Sequence, residues 1–258
     1  MSVLFETSGG VARVTIDRPD RMNAMDSGMQ TRLAEIWDEI EASPALRCVV
    51  LTGSGEKAFS AGADLKDNSG MSGVQYWKDI SESGFRRIAL RSTLKIPVIA
   101  RINGLALGGG LEMAMGCDIL IASETARFGL PEAKVGRMPL DGGMVMLPRL
   151  IPRNIAVGMM MTGRMIPAAE MMRYGLLNAV VPATELDAET DRWVADILAA
   201  APLSLTAIKA VARETCEMSV HDAYMHETPE LIAALVSEDA DEGVLAFREK
   251  RAPVWRGR

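Results

Sequence analysis

Residues 11–16, VARVTI, alternate between apolar and polar positions with a period of two, the pattern of a half-buried strand. The turn Asp17-Arg18-Pro19-Asp20 closes it. After Asp26 or Ser27, either of which suits a helix cap, the period changes to 3.6. Met29, Leu33, Ile36, Trp37 and Ile40 then form one stripe, which predicts a helix to about Ala42. Residues 47–52, RCVVLT, are nearly continuous and β-branched, as in a strand covered on both faces. A run of small residues over 53–64 follows directly and reads as a loop, and a helical stretch is expected within 74–93. PVIARIN at 97–103 is a further strand leading into GLALGGG at 104–110. LEMAMGC at 111–117 reads as a short apolar helix and 118–122 as another buried strand. This alternation of strand, glycine loop and helix indicates α/β architecture. Beyond about Asp191 the strand patterns stop, and 193–200, 203–218 and 223–236 all read as helices. The expected organisation is a core over 1–190 and a helical C-terminal segment over 191–258.

Composition narrows the function classes. The chain has 258 residues, 48% of them hydrophobic and 24% charged, the profile of a globular protein with a full core. A net charge of −6 argues against a nucleic-acid partner, though a local basic cluster for a phosphorylated ligand stays compatible with it. The 18 methionines suit flexible filling of a core. The N-terminal MSVLFETSGG lacks the pattern of a signal peptide, and there is no apolar run of membrane-spanning length. Cys48, Cys117 and Cys216 have neither metal-type nor disulfide spacing and read as unpaired thiols, so a cytoplasmic location is expected. His221 and His226 fit no metal motif and read as surface or interface residues, so no metal site is expected. No G-x-S-x-G elbow supports nucleophilic hydrolysis. GSGEKA at 53–58 formally fits G-x-G-x-x-A, but no helix opens there and no acidic residue stands at 74–77, so dinucleotide binding is set aside.

The candidate chemistry lies in two loops and two glutamates. AFSAGAD at 58–64 lets a ligand approach the backbone, although a plain tight turn has the same composition. Gly108, Gly109 and Gly110 precede the short apolar helix, where unpaired N–H groups favour negative charge; close helix–strand packing is the other reading. Glu112 follows Gly109 by three residues in an otherwise apolar segment, so it needs either an ion-pair partner or a task. Glu132, in GLPE at 129–132, is either a solvated loop charge or a second member of the same site. Two carboxylates in one pocket can divide acid and base work, as the addition of water to an enoyl thioester requires.

With those residues in view, the chain resembles the crotonase superfamily, particularly the enoyl-CoA hydratases. The matching stretches are DRPDRMNAMD at 17–26, CVVLTGSGEKAFSAGADLKD at 48–67, VIARINGLALGGGLEMAMGCDILIASETARFGLPEAKVG at 98–136, MTGRMIPAAEMMRYGLLNAVVP at 161–182 and EGVLAFREKRAPVWRGR at 242–258. The resemblance implies a crotonase (ClpP-like) spiral of ββα units with a helical C-terminal trimerisation segment, assembled as a homotrimer or a dimer of trimers. It implies an acyl-CoA substrate, with coenzyme A as part of the thioester and no permanently bound cofactor. The oxyanion hole would be the N–H groups of Ala63 and Gly109, with Glu112 and Glu132 as the catalytic pair. Related isomerases typically keep only the second glutamate, so both together favour hydration or dehydration. For coenzyme A the resemblance points to Ala24, Lys57, Ala61, Asp64, Lys66, Phe247 and Lys250; the lysines also fit solvated surface charges. Gly108, Leu140 and Asp141 fall at the acyl pocket. Hydratases usually read PGAGGTQRL where this chain has Pro139-Leu140-Asp141-Gly142-Gly143-Met144-Val145-Met146-Leu147. That stretch, with LPEAKVG before it, looks more like the carnitinyl-CoA dehydratase branch. The alternative activity is therefore a dehydratase or double-bond isomerase of a substituted acyl-CoA. A non-catalytic member of the family is disfavoured because both carboxylates are present.

Overall fold

The computed structural model describes residues 3–67, 72–82, 91 and 93–258. Two sheets carry the core. The larger has the order β1-β2-β3-β5-β7-β10, from β1 (Val3–Ser8), β2 (Val11–Ile16), β3 (Cys48–Gly53), β5 (Val98–Ile102), β7 (Ile119–Ser123) and β10 (Ala179–Val181). Only the β1–β2 hairpin in it is antiparallel. The smaller sheet runs β4-β6-β8-β9, from β4 (Ala58–Ser60), β6 (Leu105–Leu107), β8 (Arg127–Gly129) and β9 (Ile166–Pro167). Sequence order explains the arrangement. The chain leaves the large sheet after β3, β5 and β7, enters the small one as β4, β6 and β8, and returns each time. Three such passes wind the backbone into a spiral and stack the turns after β4 and β6 at one place.

The strands form where pattern and covering agree. β3 is buried along nearly its whole length, as expected of a parallel strand covered on both faces. One face of the large sheet joins the main core with α1 (Ser27–Glu41). Met29, Leu33, Ile36, Trp37 and Ile40 of that helix are buried as the stripe predicts, each contributing about 1.5–3 kcal/mol. Asp26 caps it by accepting the Met29 N–H at 2.9 Å. The opposite face, with Val11, Cys48, Val50, Ile99 and Ile121, is covered by Leu186, Val194 and Ile197 of α7 (Leu186–Ala199).

Between these elements lie α2 (Gly73–Glu82), α3 (Gly109–Met115), α4 (Gly143–Leu150), α5 (Arg153–Thr162) and α6 (Ala168–Arg173). Of the helical stretch expected within 74–93, residues 74–82 fall in α2, Arg91 and Thr93 are not helical, and 83–90 and 92 lie outside the described residues. The tail continues as α8 (Pro202–Glu214), α9 (Val220–Met225), α10 (Pro229–Leu235) and α11 (Glu238–Glu249). The helix expected over 203–218 therefore stops at Glu214. The one expected over 223–236 is two helices, because Thr228 caps a new start with Pro229 at its first position. Lys209 of α8 is buried against the sheet, donating to Asp118 Oδ2 at 2.7 Å and the Ile96 carbonyl at 2.8 Å. The last residues fold back over α11: Asp239 accepts the N–H groups of Arg256 and Gly257, and Trp255 Nε1 donates to the Ala199 carbonyl.

Cys48 and Cys117 are buried and Cys216 is exposed. Burial, helped by the charge of Asp118, pushes the Cys48 thiol up to about 12 and the Cys117 thiol up as well. Among the described residues no single helix is long and apolar enough to cross a membrane. The stretch Ala183–Ala199 and Pro202–Glu214 passes on length and composition only as a pair bent by 106°.

Candidate active site

The first loop is held from beneath by Asn23. Its Nδ2 donates to the carbonyls of Ala58 at 2.7 Å and Ser54 at 3.0 Å, its Oδ1 accepts the Arg18 N–H, and its carbonyl accepts Ser60 Oγ. Asn23 is fully buried with φ of 54°, a conformation that asparagine tolerates better than most residues. Beyond β4 the backbone bonds to Met25: the Met25 N–H donates to the Gly62 carbonyl, and the Asp64 N–H donates to the Met25 carbonyl. Those two bonds leave the intervening Ala63 N–H on the opposite side of the strand. Among the described residues no acceptor takes the Ala63 N–H or the Gly109 N–H at the start of α3.

The two loops touch because glycine lets them. A methyl group on Gly62, where φ is +86°, would stand 2.8 Å from the Gly109 nitrogen. One on Gly110 would stand 2.1 Å from the Ser60 carbonyl oxygen. A methyl group on Gly109 itself would point between the loops, 3.8 Å from the Ala63 nitrogen and 3.7 Å from Asp141 Oδ2. The two unpaired N–H groups thus border one small space, with an aspartate carboxylate at its edge.

The two glutamates come to this region over different glycines, Glu112 at Gly143 and Glu132 at Gly108. Glu112 lies one turn into α3 and is 2% exposed. Its Oε1 accepts the N–H of Gly143, the first residue of α4, at 2.8 Å; among the described residues no arginine pairs with it. Burial above all, then the nearby charge of Asp141, pushes its carboxyl up to about 8, against the opposing bond from Gly143. Glu132 opens a short 3-10 turn over Glu132–Val135, and Gly108 makes room for it. A methyl group on Gly108 would stand 3.0 Å from Glu132 Oε1. Its Oε2 is buried with no hydrogen-bond partner among the described residues, and burial raises its carboxyl too. Glu132 is therefore not the solvated loop charge that the sequence left open. Asp141, just ahead of Gly143, takes the Tyr76 hydroxyl of α2 on both carboxylate oxygens, at 3.0 and 3.1 Å. Leu140 beside it is half-buried.

The other expected ligand contacts are more scattered. Asp64 is engaged inside its own loop, where the Lys66 N–H and the Arg18 guanidinium hold its carboxyl low. Lys57 and Lys66 are exposed, on separate depressions of the surface. The one beside Lys66, about 330 Å³, is also lined by Arg18, Arg21 and Gly28. Ala24 and Ala61 form the backbone of the first loop, with the Ala24 carbonyl on Arg18 and the Ala61 N–H on the Met22 carbonyl. Phe247 is 85% exposed near the end of α11, where Lys250 caps the helix; no hydrogen bond or ion pair among the described residues ties either to the first loop. Sequence reasoning passed over Asn23, Tyr76 and Gly143. Of these, only Asn23 carried a signal, as the asparagine of a turn.

The enoyl-CoA hydratase/isomerase family model matches residues 6–258. This chain belongs to the enoyl-CoA hydratase/isomerase family. Among its curated relatives, the carnitinyl-CoA dehydratases of Shigella flexneri and Escherichia coli K12 are each 40% identical over 261 residues, covering 100% of this chain and 99% of theirs. The enoyl-CoA hydratase structure from Bacillus anthracis superposes with a TM-score of 0.92 at 33% identity, covering 100% of both chains. That from Mycobacterium tuberculosis H37Rv gives 0.89 at 32% identity, covering 100% of this chain and 99% of the other. The spiral of paired sheets is thus the crotonase fold of the enoyl-CoA hydratase family.

Proposed function

We propose that this enzyme adds water reversibly to a 2-enoyl-CoA thioester. The observation that carries the reading is that Glu112, on the helix that Gly109 opens, and Glu132, against Gly108, are close enough for their charges to interact and stand beside two N–H groups that no described residue takes. The thioester oxygen sits between the Ala63 and Gly109 N–H groups, which hold it more tightly as it gains enolate charge. One carboxyl of the pair is ionised and takes a proton from water as the oxygen bonds to the β-carbon. The other is protonated and delivers its proton to the α-carbon, so the pair ends with its proton exchanged and one water added. Two buried carboxyls at close range share their protons as a unit, so the roles belong to the pair. Coenzyme A lies along the first loop, over Ala24 and Ala61, with Lys57 and Lys66 towards its phosphates. Phe247 and Lys250 close over it, contributed by a neighbouring subunit of a homotrimer.

A second reading, the dehydration of a substituted acyl-CoA, draws on the carnitinyl-CoA dehydratases at 40% identity. It also has a local observation in its favour: Asp141 brings a carboxylate to the space beside Gly109. That makes the acyl end polar, unlike a pocket built for a plain fatty chain. The discriminating experiment mixes the protein separately with crotonyl-CoA, longer 2-enoyl-CoA esters and carnitinyl-CoA, and follows the conjugated thioester absorbance. Loss of absorbance with simple enoyl esters supports the first reading, and a rise with carnitinyl-CoA alone supports the second. No change with any ester overturns both.

A further inference from the structure

A third carboxylate enters this site, and the catalytic pair does not account for it. Asp141 stands two residues ahead of Gly143, whose N–H holds Glu112. Its Oδ2 lies 3.7 Å from the point where a side chain on Gly109 would begin. The Tyr76 hydroxyl fixes the carboxylate there from α2, and both residues make further interactions besides this one. Three acids are therefore neighbours here: Glu132 against Gly108, Asp141 beside Gly109, and Glu112, which feels the charge of both. Among the described elements, those packed most closely on α3 are β4, β6 and α4. β4 and β6 carry no charged side chain, and the arginine of α4, Arg149, is exposed and paired with Glu217. Among the described residues, Glu112 is faced by the charges of Asp141 and Glu132, which raise its carboxyl, and by the backbone N–H groups of Gly143 and Asp141, which oppose that rise.

We infer that Asp141 is a positioning residue that keeps a proton on the Glu112–Glu132 pair, so that the site rests with one acid loaded for the α-carbon. Carboxylates gathered like this repel one another, and the cost falls on the two glutamates, whose burial already disfavours their charged forms. The repulsion then falls on the buried glutamates and holds the proton there. The direction agrees with the charge of Asp141 raising both glutamate carboxyls. The catalytic consequence rests on the hydration reading above; the proton occupancy does not.

The test is a titration that needs no substrate. Infrared spectra of the 13C-glutamate-labelled protein follow the protonated carboxyl band against pH, and Glu112→Gln assigns it. In Asp141→Asn the Glu112 midpoint is expected to move acidward by about one pH unit, a tenfold change in occupancy at fixed pH. The alkaline limb of kcat/KM for an enoyl-CoA should move the same way. Asp141→Ser is a second uncharged variant, measured in case the asparagine variant does not fold, and it should behave alike. Tyr76→Phe keeps the carboxylate and loses only the tether, so a shift there smaller than in Asp141→Asn is expected. An unmoved Glu112 midpoint in folded Asp141→Asn or Asp141→Ser overturns the inference. A moved midpoint in a protein that turns over no enoyl-CoA sustains it and overturns the hydration reading instead.

Discussion

Glu112 occupies a position that is costly to fill with a charge. Its folded carboxyl is held up to about 8, against about 4.5 in an unfolded chain. The folded protein therefore binds this proton more tightly than the unfolded one does. The associated stability is fully present below about pH 4.5 and is lost as the pH rises through about 8. Glu112→Gln removes that loss while keeping an oxygen for Gly143. Thermal melts should show the variant more stable than the parent at pH 9, by roughly 2–5 kcal/mol, with the gap closing towards pH 5. Its catalytic rate, and that of Glu132→Gln, should fall by about two orders of magnitude or more. Equal melting at both pH values would show that Glu112 is not buried as described. Much at this scale was legible in the sequence: a glutamate inside LEMAMGC is conspicuous, and so are the glycines before it. The partner of Glu112 was not. The bond comes from a backbone N–H 31 residues away, and any residue but proline supplies one. Tyr76 was invisible for a related reason, since its meeting with Asp141 depends on how α2 lies over the site.

At the scale of elements, the docking of α8 turns on one cation. Lys209 has its side chain 7% exposed, and burial lowers its ammonium while Asp118 opposes that shift. Lys209→Met takes the side-chain donor from the Ile96 carbonyl and leaves Asp118 with the Val98 N–H but no cation, and should cost roughly 3 kcal/mol, read as a lower urea midpoint with an unchanged slope. Asp118→Asn added to it should recover part of the loss, because the stranded charge goes with it. The long elements were legible: α1 with its cap, and β2, β3, β5 and β7, lie close to where periodicity puts them. The small sheet was not. β4, β6 and β8 have three residues each, too few for a period of two to declare itself, and β4 and β6 sit inside stretches that read as loops. They are nonetheless what brings the two glycine turns together. The tail shows the converse, since Thr228-Pro229 announces a new helix that the apolar pattern runs straight through.

For the whole molecule, the tail presents Tyr224, Leu235, Val236, Phe247 and Val254, all well exposed on a single chain. A stretch this apolar suits burial against further copies. Sedimentation equilibrium at micromolar concentration should find a particle of about three or six times the 27.8 kDa chain mass, and a monomer would contradict the trimer. The cysteines give this molecule a different kind of handle. Two of the three thiols are sealed within the sheet and the core, where a thiolate is disfavoured. A thiol-reactive dye offered to the native protein therefore has one address, Cys216, in the turn that follows α8 and remote in sequence from the glycine loops. The unmodified sequence already carries a single-site reporter for the tail, and no cysteine has to be removed to use it.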